Sequence, residues 1–296
     1  MVRHQRPYGI GSKINRYQMK FNTTILVLIF LFPFLSIGQD IKVMSYNIKY
    51  DNINDTVNNW NDRKENMVML LKKHSPEFIG MQEVLYRQLA YLDTSLTDYE
   101  YVGVGRDDGK QKGEFSPILY NATQYELLES NTFWLSKTPN KISVGWDAAM
   151  ERICSYGLFQ NKISKNSVWV FNTHFDHIGV KARKKSVKLI LKKIKQINIE
   201  KLPVVLMGDF NLIPEEKPIQ WLQKKMDDGL TISKTPLEGP QGTFNGFDSD
   251  DPMERRIDYI FTKGFAVESY FHIDERLKTG KHISDHLPVL NVISKK

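Results

Sequence analysis

Cysteine is almost absent from this chain, since Cys154 is the only one among 296 residues. A single cysteine rules out a disulfide within the chain, so a framework of disulfide bonds cannot hold the fold together. The sequence also lacks internal repeats and any linker rich in glycine, serine or proline. These absences predict one domain that is stabilised by its hydrophobic core, and the chain is long enough to build one large α/β domain.

A long hydrophobic run is also missing. The longest apolar stretch covers residues 25–38, and about fourteen residues are too few to cross a bilayer comfortably. The stretch contains Pro33 and follows Lys20. This pattern favours the apolar part of a secretory signal peptide over an uncleaved membrane anchor.

The end of this stretch suits a signal peptidase. Small residues at Ser36 and Gly38 predict cleavage directly after Gly38. We therefore expect residues 1–38 to be a leader, with residues 1–18 as an over-extended start, and residues 39–296 to form the mature domain. This interpretation predicts an exported protein, in the periplasm or outside the cell, without a stable membrane anchor.

Acidic residues are missing from the leader, and this changes the charge of the remainder. Residues 1–38 carry five basic residues and no acidic ones, so the formal net charge of +7 falls to +2 in the mature chain. So small a charge gives little support to nucleic-acid binding. The basic segment at residues 181–195 has apolar residues at near-helical spacing, which favours a solvated helix face over a polyanion-binding patch.

Hydrophobic periodicity predicts strands that alternate with helices early in the chain and follow one another in the middle. Helices are predicted at residues 62–74, 86–96 and 180–197, with Asp62 as the cap of the first and Glu65 completing a capping box. Strands are predicted at residues 41–46, 77–81, 99–104, 117–120, 124–133, 153–160, 167–172, 256–262, 266–273 and 288–293, and in the apolar run that starts at residue 204. This order favours a mixed sheet, or two packed sheets, over a purely parallel one.

Polar residues that bind metals or move protons stand at the ends of six predicted strands or directly beside them. Each alone has an ordinary explanation, such as a turn residue, a helix cap or a hydrogen-bonded core histidine. Six such strand ends in one chain favour an active site at one edge of a sheet, and the oxygen-rich set suits a hard cation. The residues are Asn47, Glu83, His174, Asp209 with Asn211, Asp258, and Asp285 with His286.

The same positions carry a resemblance to a known family. The motifs SYN (45–47), QE (82–83), THFD (173–176), GDFN (208–211), RIDYI (256–260) and SDH (284–286) stand in this order. The chain resembles the endonuclease/exonuclease/phosphatase superfamily, which includes DNase I, over about residues 40–294. The resemblance implies an α/β fold, a four-layered sandwich in which two mixed β-sheets pack face to face with flanking helices, and divalent-metal phosphoester hydrolysis.

Three further segments narrow the resemblance to a group of exported bacterial proteins of undefined substrate. They are FWLSKTP, GWDAAMERIC and THFDHIGVKAR. The match identifies relatives and not a substrate. A separate segment, residues 106–112, is expected to form a mobile loop near the site.

The metal ligands that the resemblance implies are Asn47, Glu83 and Asp285. Glu83 corresponds to the principal Mg²⁺ ligand, with Asn47 beside it and Asp285 completing the site directly or through a neighbouring group. So short a ligand list suits Mg²⁺, which keeps several of its waters, and Mn²⁺ is an acceptable substitute.

The catalytic residues that the resemblance implies are His174, Asp209, Asn211, Asp258 and His286. Asp209 is expected to orient or deprotonate the attacking water, and Asn211 to hold this water or the phosphate. His286 would contact the phosphate or leaving group, oriented by Asp258, and His174 would donate to a non-bridging oxygen. Arg152 is a candidate substrate-binding residue, although a structural salt bridge explains its position equally well.

Two positions depart from the simplest version of the pattern. Lys49 stands where many relatives carry an acid, which argues against a full second metal site, although Asp51 lies near enough in sequence to be considered. Asp176 and His177 suggest a separate metal site, but Asp176 is also a natural cap for a helix that begins near Gly179.

These observations predict a Mg²⁺-dependent phosphoester hydrolase that uses a water oriented by Asp209. Its substrate would be a phosphorylated small molecule, a nucleotide or a nucleic acid, and nothing indicates a protein partner. The alternative is a catalytically silent binding protein on the same fold, which predicts that a central residue has been lost.

Overall fold

Residues 40–296 are the part of the chain that the computed structural model describes, so the predicted leader over residues 1–38 lies outside the described residues. Within residues 40–296, no helix has both the length and the apolar composition needed to span a membrane.

Two mixed sheets of six strands each form the centre of the domain. The first sheet contains, in spatial order, β11 (Phe265–His272), β12 (Val289–Lys295), β1 (Ile41–Asn47), β2 (Phe78–Gln82), β4 (Ile118–Asn121) and β3 (Tyr99–Val102). The second contains β5 (Tyr125–Trp134), β6 (Ile153–Asn161), β7 (Ser167–His174), β8 (Val204–Asp209), β10 (Asp258–Lys263) and β9 (Asp227–Asp228). Only β1 with β2 and β7 with β8 pair in parallel, while the other neighbours are antiparallel.

Three buried clusters show how the layers pack. One lies between the sheets and combines side chains such as Val43 and Phe78 of the first sheet with Val205 and Ile260 of the second. The others cover the outer faces, under the helices α1 (Trp60–His74) and α2 (Tyr86–Ser95) on one side and α3 (Val180–Ile197) and α4 (Lys217–Gln223) on the other. The predicted four-layered sandwich is therefore confirmed.

The helix starts differ from the prediction in their capping. Helix α1 begins at Trp60, because the side chain of Asn59 accepts a hydrogen bond from the backbone N–H of Asp62. Asp62 consequently lies in the first turn rather than at the cap. The sequence patterns also missed the short helices α4 and α5 (Gly229–Ile232), which are too brief to show a clear 3.6-residue period.

The start of α3 is capped by a distant residue. Asp176 accepts hydrogen bonds from the backbone N–H groups of Ile178 and Gly179, just ahead of the helix. The first-turn N–H groups of Lys181 and Ala182 instead donate to the carboxylate of Asp147, at 3.1 and 2.6 Å. A cap supplied from 35 positions away cannot be recognised from local spacing.

Strand pairing brings the polar strand ends to one edge. Asn47 pairs with Gln82 across the parallel strands of the first sheet, and His174 pairs with Asp209 across those of the second. Asp258 lies opposite Asp209 on the antiparallel neighbour. The sheets pack so that these ends face each other, with the Gln82 side chain donating to Asn172 across the interface at 2.7 Å.

Gly208 fixes the spacing between β7 and β8 next to Asp209. Its φ is 151°, and a Cβ added there would lie 2.0 Å from the carbonyl oxygen of Thr173. We predict that Gly208→Ala lowers the free energy of unfolding by about 2–5 kcal/mol, since overpacking and backbone strain add. The measurement is urea-induced unfolding followed by circular dichroism.

Gly280→Ala is the matched control, because Gly280 also has a positive φ (82°) but no atom within 4 Å of an added Cβ. It should cost only the strain, about 1–2 kcal/mol. Equal losses for the two variants would contradict a packing role for Gly208.

Candidate functional site

The side chain of Asn47 links the two sheets at the site. Its Nδ2 donates to Asp209 Oδ2 at 3.0 Å, across the sheet interface, and lies 3.2 Å from Glu83 Oε1. Asn47 is fully buried at the end of β1, and Glu83 follows β2 directly. One amide therefore positions the carboxylates of two different strands.

Backbone strain is concentrated at this edge. Lys49, Glu83 and Asn211 all have left-handed backbones, with φ of 56°, 60° and 50°. Such conformations cost non-glycine residues free energy and persist only where neighbouring contacts fix them. Here the contacts are local: the N–H of Lys49 donates to Asn47 Oδ1, and the N–H of Asn211 donates to Asp209 Oδ1.

His286 and Asp258 form a buried ion pair. His286 Nδ1 lies 2.9 Å from Asp258 Oδ2, which also accepts the Thr243 hydroxyl at 2.6 Å. Burial lowers the pKa of His286, but the charge and hydrogen bond of Asp258, helped by Asp209, raise it to about 10. His286 is consequently an imidazolium at neutral pH, with its Nε2–H 3.8 Å from Asp209 Oδ2.

Asp209 is buried at the end of β8. Burial and the neighbouring charge of Asp258 raise the pKa of Asp209 to about 7, against the opposing effects of His286, Asn211 and Asn47. A carboxylate with this pKa accepts a proton readily near neutral pH.

His174 remains neutral on the other side of Asp209. Its Nε2 lies 3.4 Å from Asp209 Oδ2 and 3.2 Å from Asn211 Nδ2, and Asn211 also donates to the carbonyl of Phe175. Burial, followed by the charges of Arg152 and Arg106, holds the pKa of His174 well below its usual range. The two histidines of the site therefore differ in charge because their neighbours differ in sign.

Two groups of side chains at this edge could hold a metal. In the first, potential ligand atoms of Asp209, Asp258 and His286 lie within 4.8 Å of one another. His286 is protonated in that group and offers no lone pair, so it functions better as a proton donor than as a ligand.

The second group, Asn47, Glu83 and Asp285, fits a hard divalent cation better. The ammonium of Lys49 lies between the carboxylates of Glu83 and Asp285, at 3.5 and 3.4 Å, and occupies the place of a cation. Burial raises the pKa of Glu83, but Lys49, His286 and Asn47 outweigh it and lower the pKa overall, so Glu83 is ionised. Oxygen donors of this kind suit Mg²⁺ or Mn²⁺.

The structure brings together eight of the nine residues proposed from the sequence. Arg152 lies behind His174 and contacts Asp176 at 3.4 Å and His177 Nδ1 at 3.0 Å. Asp51 is not part of the site, because Arg87 pairs with its carboxylate. The oxygens of Asp176 are similarly taken by backbone N–H groups and Arg152, which leaves little to support a separate metal site.

Sequence reasoning missed Arg106 and Glu114. They form a two-fold ion pair at 2.8 and 3.0 Å, and Glu114 Oε2 lies 3.9 Å from His174 Nδ1. The segment expected to be a mobile loop is held by the side chain of Asp108, which accepts from the backbone N–H groups of Lys110 and Lys112. The DDG turn at residues 107–109 was the available signal.

Comparisons with known proteins agree with this geometry. The model of the Endonuclease/Exonuclease/phosphatase family matches residues 44–286, and the chain belongs to this family. Its members are phosphoester hydrolases with the DNase I-like fold.

Solved structures and a curated relative place the chain more closely. A family protein from Bacteroides thetaiotaomicron is 34% identical, with a TM-score of 0.84, over 88% of this chain and 99% of that one. The mannosyl-6-phosphatase of the same organism is 35% identical, with a TM-score of 0.82, over 86% and 99%. The probable RNA exonuclease NGL3 of Saccharomyces cerevisiae is 28% identical over 68% of this chain and 42% of its own length.

Lys49 should weaken metal binding, because its ammonium lies against two of the metal-ligand candidates. We predict that Lys49→Gln binds Mg²⁺ and Mn²⁺ roughly fivefold more tightly or better, since a unit charge about 4 Å away contributes about 1 kcal/mol or more. Isothermal titration calorimetry on the metal-free protein measures this affinity.

Lys72→Gln removes an equally positive but exposed charge on the outer helix α1 and serves as the control. Its affinity should match that of the wild type. Unchanged or weaker binding by Lys49→Gln would show that Lys49 supports the carboxylates instead of competing for them.

Proposed function

We propose that this protein is an exported, Mg²⁺-dependent phosphoester hydrolase. The observation that carries the proposal is the opposed pair at the centre of the site: the Asp209 carboxylate and the His286 imidazolium, 3.8 Å apart. One accepts a proton and the other donates one, and hydrolysis of a phosphoester needs both.

Asp209 is the proton acceptor for the attacking water. Its burial removes competing solvent, and the Asn47 amide and the Asn211 N–H fix the directions of its two oxygens. The water oxygen forms the new bond to phosphorus while its proton passes to Asp209. General-base help of this kind contributes roughly 10²–10⁴-fold to the rate.

His286 is the proton donor for the leaving group. When the ester P–O bond breaks, the leaving oxygen takes the proton from His286 Nε2. Asp258 holds the imidazolium in place through Nδ1 and keeps it charged. His174 and the amide of Asn211 are placed to donate to the non-bridging oxygens, where negative charge grows in the transition state.

Asn47, Glu83 and Asp285 would hold the Mg²⁺, with Mn²⁺ as a substitute. When bound, the metal neutralises charge on the phosphate oxygens. In this proposal Lys49 moves aside and adds positive charge near the phosphate. A single metal is the simplest arrangement, because Lys49 replaces the acid that a second metal would need.

The substrate is proposed as a phosphorylated small molecule, a nucleotide or a nucleic acid. The similarity to a mannosyl-6-phosphatase supports a phosphorylated sugar, and the similarity to a probable RNA exonuclease supports a nucleic acid. A catalytically silent binding protein receives no support, because none of the central residues is missing. Export rests on the leader, residues 1–38, and its test is the N-terminal sequence of the secreted or periplasmic protein.

Hydrolysis should depend on Asp209. We predict that Asp209→Asn lowers kcat by at least about 100-fold, because the water loses its proton acceptor. The folding and Mg²⁺ affinity should change little, since Glu83 and Asp285 are intact. The assay uses chromogenic phosphomonoester and phosphodiester substrates with Mg²⁺, and with EDTA as the metal-free control.

A broader panel decides between an enzyme and a silent protein. It contains DNA, RNA, phospholipids, inositol phosphates, sugar phosphates and nucleotide sugars. The absence of turnover with every member would overturn the proposed function.

The alkaline limb of the pH profile should report His286. The donor form exists below its pKa, so activity falls as pH rises through that value. Replacing Asp258 by Asn removes the charge that raises the pKa of His286. We predict that the alkaline limb of kcat/KM then moves by one or more units toward neutral pH, roughly as expected for loss of a buried ion pair.

NMR titration of the imidazole provides a second readout that does not need turnover. Asp227→Asn removes an exposed aspartate and serves as the control. An unshifted limb and an unshifted imidazole titration in Asp258→Asn would contradict the proposed pairing.

A further inference from the structure

Three segments that hydrolysis does not require meet beside the proposed site. The indole N–H of Trp134, in FWLSKTP, donates to the carbonyl of Arg106 at 2.8 Å. The sulfur of Met150, in GWDAAMERIC, lies 3.1 Å from Arg106 Nη2. The N–H of Leu135 donates to the carbonyl of Arg152 at 2.7 Å. These contacts hold two arginines, Arg106 and Arg152, against His174.

Unpartnered donors converge at this place. Arg106 Nε, Arg152 Nη1 and His174 Nδ1 are buried without a hydrogen-bond partner among the described residues. The side chains of Arg152 and His174 are only 6% and 8% exposed, and that of Arg106 13%. All three line one cleft, together with Glu114, Ser116 and Ile153. Buried donors are costly to leave unpaired, so their presence points to an acceptor that binds there.

The charges of the cleft favour an anion. Burial lowers the pKa of Arg152, and the charge of Arg106 lowers it further, which means that the two guanidiniums repel each other. Glu114 and Asp176 each pair with one arginine. Added negative charge between the guanidiniums would relieve the repulsion and use the free N–H groups.

The cleft adjoins the reacting centre through His174. One ring nitrogen of His174 lies 3.4 Å from Asp209, and the other faces Glu114 and the arginines. A phosphate bound at Asp209 would therefore direct an oxygen toward the arginine pair on one side and its leaving group toward His286 on the other. What that oxygen carries decides which substrates fit.

We propose that Arg106 and Arg152 bind the terminal oxygens of a phosphomonoester, and that the protein hydrolyses phosphomonoesters in preference to phosphodiesters. A monoester presents two negative charges and unsubstituted oxygens to the pair. A diester presents one charge and would bring a second ester group against buried guanidinium N–H groups, which would then remain unpaired. The inference rests on the proposed function and specifies the substrate class of the same site.

The test compares one variant on two substrates. We expect Arg106→Gln to lower kcat/KM for 4-nitrophenyl phosphate roughly 10- to 100-fold more than for bis(4-nitrophenyl) phosphate, the range for losing hydrogen bonds to a charged group. Lys112→Gln, an exposed charge on the same loop, should leave both values unchanged. An equal loss on both substrates would overturn the inference.

Glu114→Gln separates substrate binding from a purely structural role of Arg106. If Arg106 only positions Glu114, the two variants should lower both substrates in parallel. If Arg106 binds substrate, Glu114→Gln keeps the preference for the monoester. Arg106→Lys provides a second variant with the charge retained, in case the glutamine variant does not fold.

Binding without turnover distinguishes this inference from the hydrolase proposal. In EDTA, inorganic phosphate should bind the wild type more tightly than dimethyl phosphate does, and Arg106→Gln should abolish this difference. Phosphate binding that is lost in Arg106→Gln, without hydrolysis of any substrate, would leave the subsite standing and overturn the hydrolase. Hydrolysis with an unchanged monoester preference in Arg106→Gln would do the reverse.

Discussion

The burial of the Asp209 carboxylate is the constraint on which the site depends. A charge at the end of a buried strand is costly unless donors surround it. Its donors come from both sheets, because Asn47 reaches it from β1 while the Asn211 N–H reaches it from the loop after β8. The two sheets must consequently pack with their parallel pairs in one alignment, or Asp209 would lie unpaired in the interface.

This arrangement places catalytic potential and strain at the same edge. Left-handed residues follow β1, β2 and β8, and a close approach at Gly208 brings β8 against β7. The three apolar clusters stabilise the layers that hold these positions. Strain at the edge and tight packing elsewhere are what a preorganised site requires, since the groups do not have to rearrange when charge develops.

The sequence predicted the layers and the strand ends because both depend on local patterns. Apolar runs that end in Asn47, Asp209 or Asp258 are visible without any structure, and so is the order of the motifs. The partners of Arg152 and the Asp147 cap of α3 were not predictable, because each depends on a contact between distant segments. The Arg106–Glu114 pair was missed for another reason: its loop has mixed charge, and only the contact with Trp134 shows which way it folds.

Attack of water at phosphorus is the central claim, and isotope labelling tests it most directly. Hydrolysis of a phosphomonoester in water enriched in oxygen-18, with Mg²⁺ present, would be followed by mass spectrometry of both products. The account predicts one labelled oxygen in the inorganic phosphate and none in the alcohol. Label in the alcohol would contradict it, because the bond to carbon would then be the one that breaks, and Asp209 and His286 would not have the roles that their geometry supports.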